Sequence, residues 1–186
     1  MPIACSIGGN VAENSGGVHC LKYGLTVHNI LKLEVVLMSG ESVTIGADAL
    51  DMPGYDLLAL MTGSEGMLGV VTEVTVRLLP KPAVARVILA AFDDLAMAGN
   101  AVAAIIGAGI IPGGLEMMDN PAIRAVEDFV HAGYPRDAAA LLLCELDGTE
   151  SEVEAGIRVV TRILELQGAT EIRVATDEAE RQRFWS

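Results

Sequence analysis

A-A-L-L-L-C-E-L, from Ala139 to Leu146, reads as a buried β-strand, because an apolar run this short and this continuous belongs inside a sheet. Working outward, Ser151 and Glu154 have capping-box spacing and predict a helix start. The helix carries Val153, Ile157, Val160 and Leu164 on one stripe and stops at Gly168, and Glu171 to Ala175 follows as a last strand. Asp177-Glu178-Ala179-Glu180 has the acidic character of another helix start. Upstream, Asn120-Pro121 predicts a helix with Asn120 as N-cap and Ile123, Val126, Phe129 and Val130 at helical spacing. Gly114 to Met118 is a short strand. Asp93 or Asp94 caps a helix through Leu95, Ala98, Val102, Ile105 and Ile106 that closes at Gly107 or Gly109, and Ala85 to Phe92 is the strand before it. The order β-α-β-(α)-β-α-β predicts a ferredoxin-like α+β sheet with helices on one face.

Pro80-Lys81-Pro82 interrupts both helix and strand, which divides the chain into residues 1–82 and 83–186. In the first part, Leu33 to Met38 and Glu41 to Ile45 flank Ser39-Gly40 as a β-hairpin. Val70 to Leu79 alternates, with Val70, Thr72, Val74, Val76 and Leu78 on one face. The first part is thus β-rich and carries two glycine-dense stretches, S-I-G-G-N-V-A-E-N-S-G-G (Ser6 to Gly17) and G-S-E-G-M-L-G-V-V-T-E (Gly63 to Glu73). Both are expected as loops that press backbone N–H groups against a ligand, since glycine has no Cβ to hold the ligand away. Neither matches G-x-G-x-x-G or G-x-x-x-x-G-K-[ST], so a Rossmann fingerprint and a P-loop are excluded. Glycines that serve only tight turns are the alternative.

Composition narrows the function classes. The 186 residues are 52% hydrophobic but only 4% aromatic, which predicts an aliphatic core. A net charge of −13 without a basic stripe argues against nucleic acid. Apolar runs such as Ala138 to Cys144 are too short to span a bilayer, and Met1-Pro2 opens no basic leader. Cys5, Cys20 and Cys144 are odd in number and lack C-x-x-C spacing, so no disulfide framework is expected, a reducing cytoplasm fits, and Cys144 reads as a core residue. The three histidines and three cysteines show no metal-ligand spacing, so no metal site is expected.

The two glycine stretches, with His19-Cys20-Leu21-Lys22-Tyr23-Gly24 between them, resemble the FAD-linked oxidases of the vanillyl-alcohol oxidase type. Among these, the likeness is to members acting on 2-hydroxyacids of the glycolate or D-lactate kind. It extends through Leu115-Glu116-Met117-Met118-Asp119 to Phe184-Trp185 and is strongest over residues 5–80. The resemblance implies the C-terminal part of an FAD-binding domain followed by part of a ferredoxin-like α+β substrate domain. It implies FAD as cofactor, lying along Gly8, Gly9, Asn10, Glu13, Asn14, Ser15 and Gly16, and along Gly63, Ser64, Glu65, Gly66, Met67, Leu68, Gly69, Val70 and Val71. It further implies hydride transfer from substrate C2 to flavin N5, a small 2-hydroxyacid substrate, and an iron–sulfur or second flavoprotein subunit as partner. The expected location is the cytoplasm or the inner face of a membrane. Family members also carry a pyrophosphate-binding subdomain ahead of this region, and a substrate arginine and histidine-rich metal motif after the tryptophan. The chain is therefore expected to be a middle piece, inactive alone, with no catalytic residue assignable within it.

Among single residues, His19 reads as a loop residue near the cofactor, and Lys22 and Tyr23 as flavin-side or helix-start residues. Glu116 and Asp119 read as cleft-lining or as solvated strand-end acids. The rival reading of the whole chain is a non-catalytic small-ligand or subunit-docking module with a ferredoxin-like fold.

Overall fold

A computed structural model describes residues 5–48 and 53–185, which leaves Met1-Pro2 outside the described residues. The chain divides into two compact units between Pro80 and Lys81.

In the first unit, α1 (Ile7–Glu13) and the single-turn α2 (Cys20–Tyr23) lead into a 3-10 turn, Thr26–Asn29. Strands β1 (Ile30–Val36) and β2 (Ser42–Gly46) form the expected hairpin, turned at Gly40 with φ +82°. Helix α3 (Leu57–Met61) precedes β3 (Val70–Val76), and the antiparallel sheet has the order β2-β1-β3. Its core joins Ile30, Leu33 and Val35 of β1 to Val11 of α1 and Met61 of α3, so the two helices cover one face.

Two features of this unit differ from the sequence reading. The first glycine stretch is not a loop throughout, because residues 7–13 are helical. Ser6 Oγ caps the helix by accepting from Gly9 N at 3.0 Å, and Val11 is completely buried beneath it. Packing of Val11 outweighs the poor helix propensity of Gly8 and Gly9. The alternation of β3 is also broken. Glu34 pairs with Glu73 but Val35 pairs with Val71, so Thr72 is an extra residue. Val71 and Val74 thereby join the core together, while Val70 and Leu78 are exposed.

The second unit is a four-stranded antiparallel sheet in the order β5-β6-β4-β7, built from β4 (Val84–Phe92), β5 (Gly114–Asp119), β6 (Ala140–Gly148) and β7 (Glu171–Val174). This is the ferredoxin-like order, with the first and third strands of the unit at the centre. Helices α4 (Leu95–Gly107) and α6 (Glu150–Leu166) cover one face, over Ile88, Ala90, Phe92, Leu142 and Cys144. The other face is not bare, as the one-sided expectation had it. Val87, Leu89, Ala91, Leu141 and Leu143 pack against Ile123 of α5 (Asn120–Val130) and Phe184 of α7 (Glu178–Phe184). Both faces of β4 and β6 are buried, and so these strands are apolar without alternation.

Helix starts are shifted. Asp119, not Asn120, caps α5 by accepting from Ala122 N at 3.0 Å; Asn120 is helical and donates to the carbonyls of Arg136 and Ala138. The capping box is Thr149–Glu152 rather than Ser151–Glu154. Thr149 N donates to Glu152 Oε2 at 2.9 Å, and Glu152 N donates back to Thr149 Oγ1. Both tetrapeptides fit the motif, and β6 ends at Gly148 (φ +153°), directly before Thr149, so the earlier one is used. Phe129 falls off the Ile123–Val126–Val130 stripe and is 88% exposed. Replacing Thr149 by Ala is expected to lower unfolding free energy by about 1 kcal/mol, and replacing Ser151 by Ala to change it by only a few tenths. Urea denaturation of the two variants distinguishes the caps.

Candidate functional site

The two glycine stretches, far apart in sequence, are stitched together in the first unit. Gly63 N donates to the carbonyl of Val11 at 2.8 Å, and Glu65 N donates to that of Ala12 at 2.9 Å. The seam requires unusual backbone. Asn14 (φ +46°) ends α1 in the left-handed region, Glu65 (φ +53°) lies there too, and Gly63 has φ +84°. For non-glycine residues this conformation is uncommon and costs energy. Local bonds support it. Ser15 N donates to Asn10 O, Asn14 Oδ1 accepts from Val27 N at 3.1 Å, and Thr26 Oγ1 donates to Ser15 O at 2.8 Å.

Each residue expected at the site can now be placed. Gly8, Gly9, Asn10 and Glu13 lie in α1, Asn14 caps it, and Ser15 and Gly16 form the turn after it. Gly63, Ser64, Glu65, Gly66, Met67, Leu68 and Gly69 form the turn before β3, which opens with Val70 and Val71. Met67, Leu68 and Val70 are all exposed, Met67 by 80%.

The glycines fall into two groups. Gly69 is buried against β1: a Cβ there would stand 2.7 Å from Val35 Cγ1 and 2.9 Å from Val36 O. Gly16 is closed by Leu25 and Cys20, and Gly66 (φ +75°) needs its backbone conformation. Gly8 has neither reason. It is helical, its φ is ordinary, and a Cβ would meet nothing within 4 Å. Glycine in a helix costs about 1 kcal/mol relative to alanine, so open space at Gly8 is where a ligand's close approach would account for the residue.

Beside α1 lies a cleft of about 250 Å³ whose lining includes Ile7, Asn10, Ser15, Leu25, Asn29 and Val76. Asn29 was not singled out from the sequence, because a turn asparagine ahead of a strand looks the same with or without a ligand role. His19, Lys22 and Tyr23 form their own cluster, with the Lys22 ammonium 5.5 Å from the Tyr23 ring centre and His19 edge-on to that ring. His28 Nδ1 accepts from Leu25 N at 3.0 Å.

In the second unit the notable polar residue is Glu145, 4% exposed on the α5–α7 face of β6. Its Oε2 accepts from Arg181 at 2.6 Å and from Trp185 Nε1 at 2.7 Å, which fastens the end of α7 to the sheet. Arg181 also grips Glu178 with two hydrogen bonds, and Tyr134 donates to Phe184 O. Hydrogen bonds from Arg181, then Gln182, pull the Glu178 carboxyl down to about 2. Burial, with the nearby Glu145 carboxylate, pushes the Cys144 thiol up to about 12, so this cysteine is a core residue and no nucleophile. Asp119 serves as a cap, and Glu116 is half-buried on β5.

The fold and the seam together define a class, and comparison with known proteins agrees with it. Residues 81–186 match the family model "FAD linked oxidases, C-terminal domain", and residues 1–46 match "FAD binding domain". The chain belongs to the FAD-linked oxidase family. Among its relatives are the glycolate oxidase subunit GlcD of Escherichia coli (strain K12), 71% identical over 99% of this chain, and that of Bacillus subtilis (strain 168), 42% identical over 94%. A D-lactate dehydrogenase of Anaerostipes hadrus is 32% identical over 97%. The chain spans 37%, 37% and 40% of the lengths of these relatives. Among solved structures, alkyldihydroxyacetonephosphate synthase shares the fold with a TM-score of 0.75 at 21% identity, covering 95% of this chain and 35% of that one. For p-cresol methylhydroxylase the TM-score is 0.73 at 18% identity, covering 94% of this chain and 40% of that one.

Two outcomes test this geometry. Replacing Gly69 by Ala should destabilise the first unit by about 1–3 kcal/mol in chemical denaturation, because Val35 and the Val36 carbonyl must move. The second concerns Glu178. A lowered carboxyl pKa stabilises the folded state fully above the ordinary value of 4.5, and that stabilisation disappears as pH falls through about 2. Fluorescence of Trp185, the single tryptophan, should therefore hold steady from neutral pH to about 4.5 and change below it. The Glu178→Gln variant should lose this share of the acid sensitivity.

Proposed function

We propose that this chain forms the flavin-side part of an FAD-dependent 2-hydroxyacid oxidoreductase of glycolate or D-lactate type. The observation that carries the proposal is the seam, which turns two glycine-dense stretches into one continuous backbone surface beside α1. The residues fit FAD. Gly8 leaves room for close approach, and the exposed side chains of Met67, Leu68 and Val70 offer apolar contact. Gly8 to Asn10, Glu13 to Gly16, and Gly63 to Val71 would hold the cofactor, largely through main-chain groups.

When bound, FAD would supply the redox chemistry, as acceptor of the hydride equivalent lost by the substrate. The chain's own contribution is position. The left-handed turns at Asn14 and Glu65 shape the backbone that would hold the cofactor, and the Val27, Thr26 and Ser15 bonds keep the turn at Asn14 from relaxing. A small 2-hydroxyacid substrate and an electron-accepting iron–sulfur or second flavoprotein subunit complete the reading, which places the protein in the cytoplasm or at the inner face of a membrane. Similarity to relatives named as a glycolate oxidase subunit supports the substrate and subunit assignments. Among the described residues no helix is long and apolar enough to cross a membrane.

The test is a flavin-fluorescence titration of the chain and of its Gly8→Ala and Gly8→Val variants. Gly8→Ala should raise thermal stability, since helix propensity improves by about 1 kcal/mol. Gly8→Val should stay folded and bind FAD at least about tenfold more weakly, because its branched side chain occupies the approach. Equal affinity in all three would remove Gly8 from the cofactor surface. No FAD binding by the unaltered chain would defeat the cofactor assignment for this part of the protein.

A further inference from the structure

A second cavity of the first unit, of about 450 Å³, lies where the 3-10 turn meets the end of β2, the start of α3 and Arg77 after β3. It shares only Ile30 with the cleft beside α1, and none of the residues expected along FAD lines it. Its chemistry is therefore not explained by the cofactor surface.

Val27, Ile45, Leu57 and Leu58 give the lining apolar surface, and Ile45 and Leu58 also pack against the core of the unit. Its titratable groups are Arg77, His28, Tyr55 and Asp56. Asp56 is already committed, because its Oδ1 accepts from Ala59 N at 2.9 Å as the cap of α3. His28 Nδ1 accepts from Leu25 N at 3.0 Å, which leaves Nε2 as the N–H donor of the ring. Arg77 is anchored by its backbone, with N donating to Asn29 O at 2.9 Å. Its exposed side chain makes no hydrogen bond or ion pair among the described residues. In a chain of net charge −13, a guanidinium without a carboxylate beside an apolar hollow is complementary to an anion with a hydrocarbon body.

We propose that this cavity binds a small aliphatic monocarboxylate, with the carboxylate held by Arg77 and His28 and the hydrocarbon part against Val27, Ile45, Leu57 and Leu58. Arginine suits the role because its planar fork can donate two parallel hydrogen bonds to one carboxylate. Binding is reversible and involves no covalent step. The site uses no residue of the proposed cofactor surface and does not depend on the FAD reading.

Saturation-transfer NMR on the intact chain, with hexanoate and the neutral hexanamide as probes, tests the site without any turnover. Hexanoate should receive saturation along its chain, and hexanamide should bind about tenfold more weakly because it lacks the charge. Arg77→Gln should weaken hexanoate by about tenfold or more at an unchanged melting temperature. Arg158→Gln, which alters an exposed arginine of α6 in the second unit, should leave hexanoate binding unchanged. Leu57→Trp fills the cavity from a half-exposed position and should lose hexanoate while keeping its circular dichroism. The proposal is overturned if hexanoate receives no saturation, if folded Arg77→Gln binds it as well as the unaltered chain, or if Arg158→Gln weakens it equally. Displacement of hexanoate by FAD would overturn it too, by giving the cavity to the cofactor. FAD binding without displacement supports both readings, and hexanoate binding without FAD binding supports this one alone.

Discussion

Two backbone hydrogen bonds, from Gly63 to Val11 and from Glu65 to Ala12, hold together everything that makes the first unit look like a binding surface. They form where the chain leaves α1 through a left-handed residue, Asn14, and returns ahead of β3 through three more, Gly63, Glu65 and Gly66. Asparagine tolerates that conformation better than most residues, and glycine adopts it freely. Glutamate does not, and its presence there marks a place where the surrounding structure dictates the backbone. The glycines near the seam are thus divided between making the surface and leaving it clear. Gly69 and Gly16 fit because the chain's own atoms crowd them, whereas Gly8 is small where nothing in the unit demands it.

The second unit obeys a different constraint. Its central strands β4 and β6 are apolar on both faces and must be covered twice, by α4 and α6 on one side and by α5 and α7 on the other. α7 is short and carries acids at its start and arginines at its end, in keeping with the helix dipole. Its hold on the sheet comes from Phe184 in the core and from Glu145, which is tolerable as a buried acid because Arg181 and Trp185 both donate to it.

Elements defined by a continuous pattern could be read from the sequence. The Ala139–Leu146 run, the Val153–Leu164 stripe and the Ser39-Gly40 hairpin each correspond to an observed element. Features that depend on distant packing could not. Gly8 and Gly9 have loop-forming chemistry, and only the burial of Val11 makes them helical. The extra residue at Thr72 follows from pairing with Glu34 and Val35, which local alternation does not encode. Overlapping motifs were ambiguous in a different way: T-E-S-E and S-E-V-E are equally good caps until the end of β6 is known. At the candidate site, the two glycine stretches stand out by composition, whereas the backbone bonds that join them do not. Asn29 carried no signal, since its place on the cleft beside α1 arises only on folding.

The placement of the single tryptophan has a use of its own. Trp185 lies in the second unit, and the surface proposed to carry a yellow cofactor lies in the first. Indole emission overlaps flavin absorption, so a bound flavin would act as a resonance acceptor for a donor the chain already contains. Because the indole is tethered through Nε1 to a buried carboxylate, its orientation is restrained and its lifetime has one environment to report. Transfer efficiency in the flavin-loaded protein would therefore give the distance between the two halves in solution with no label attached.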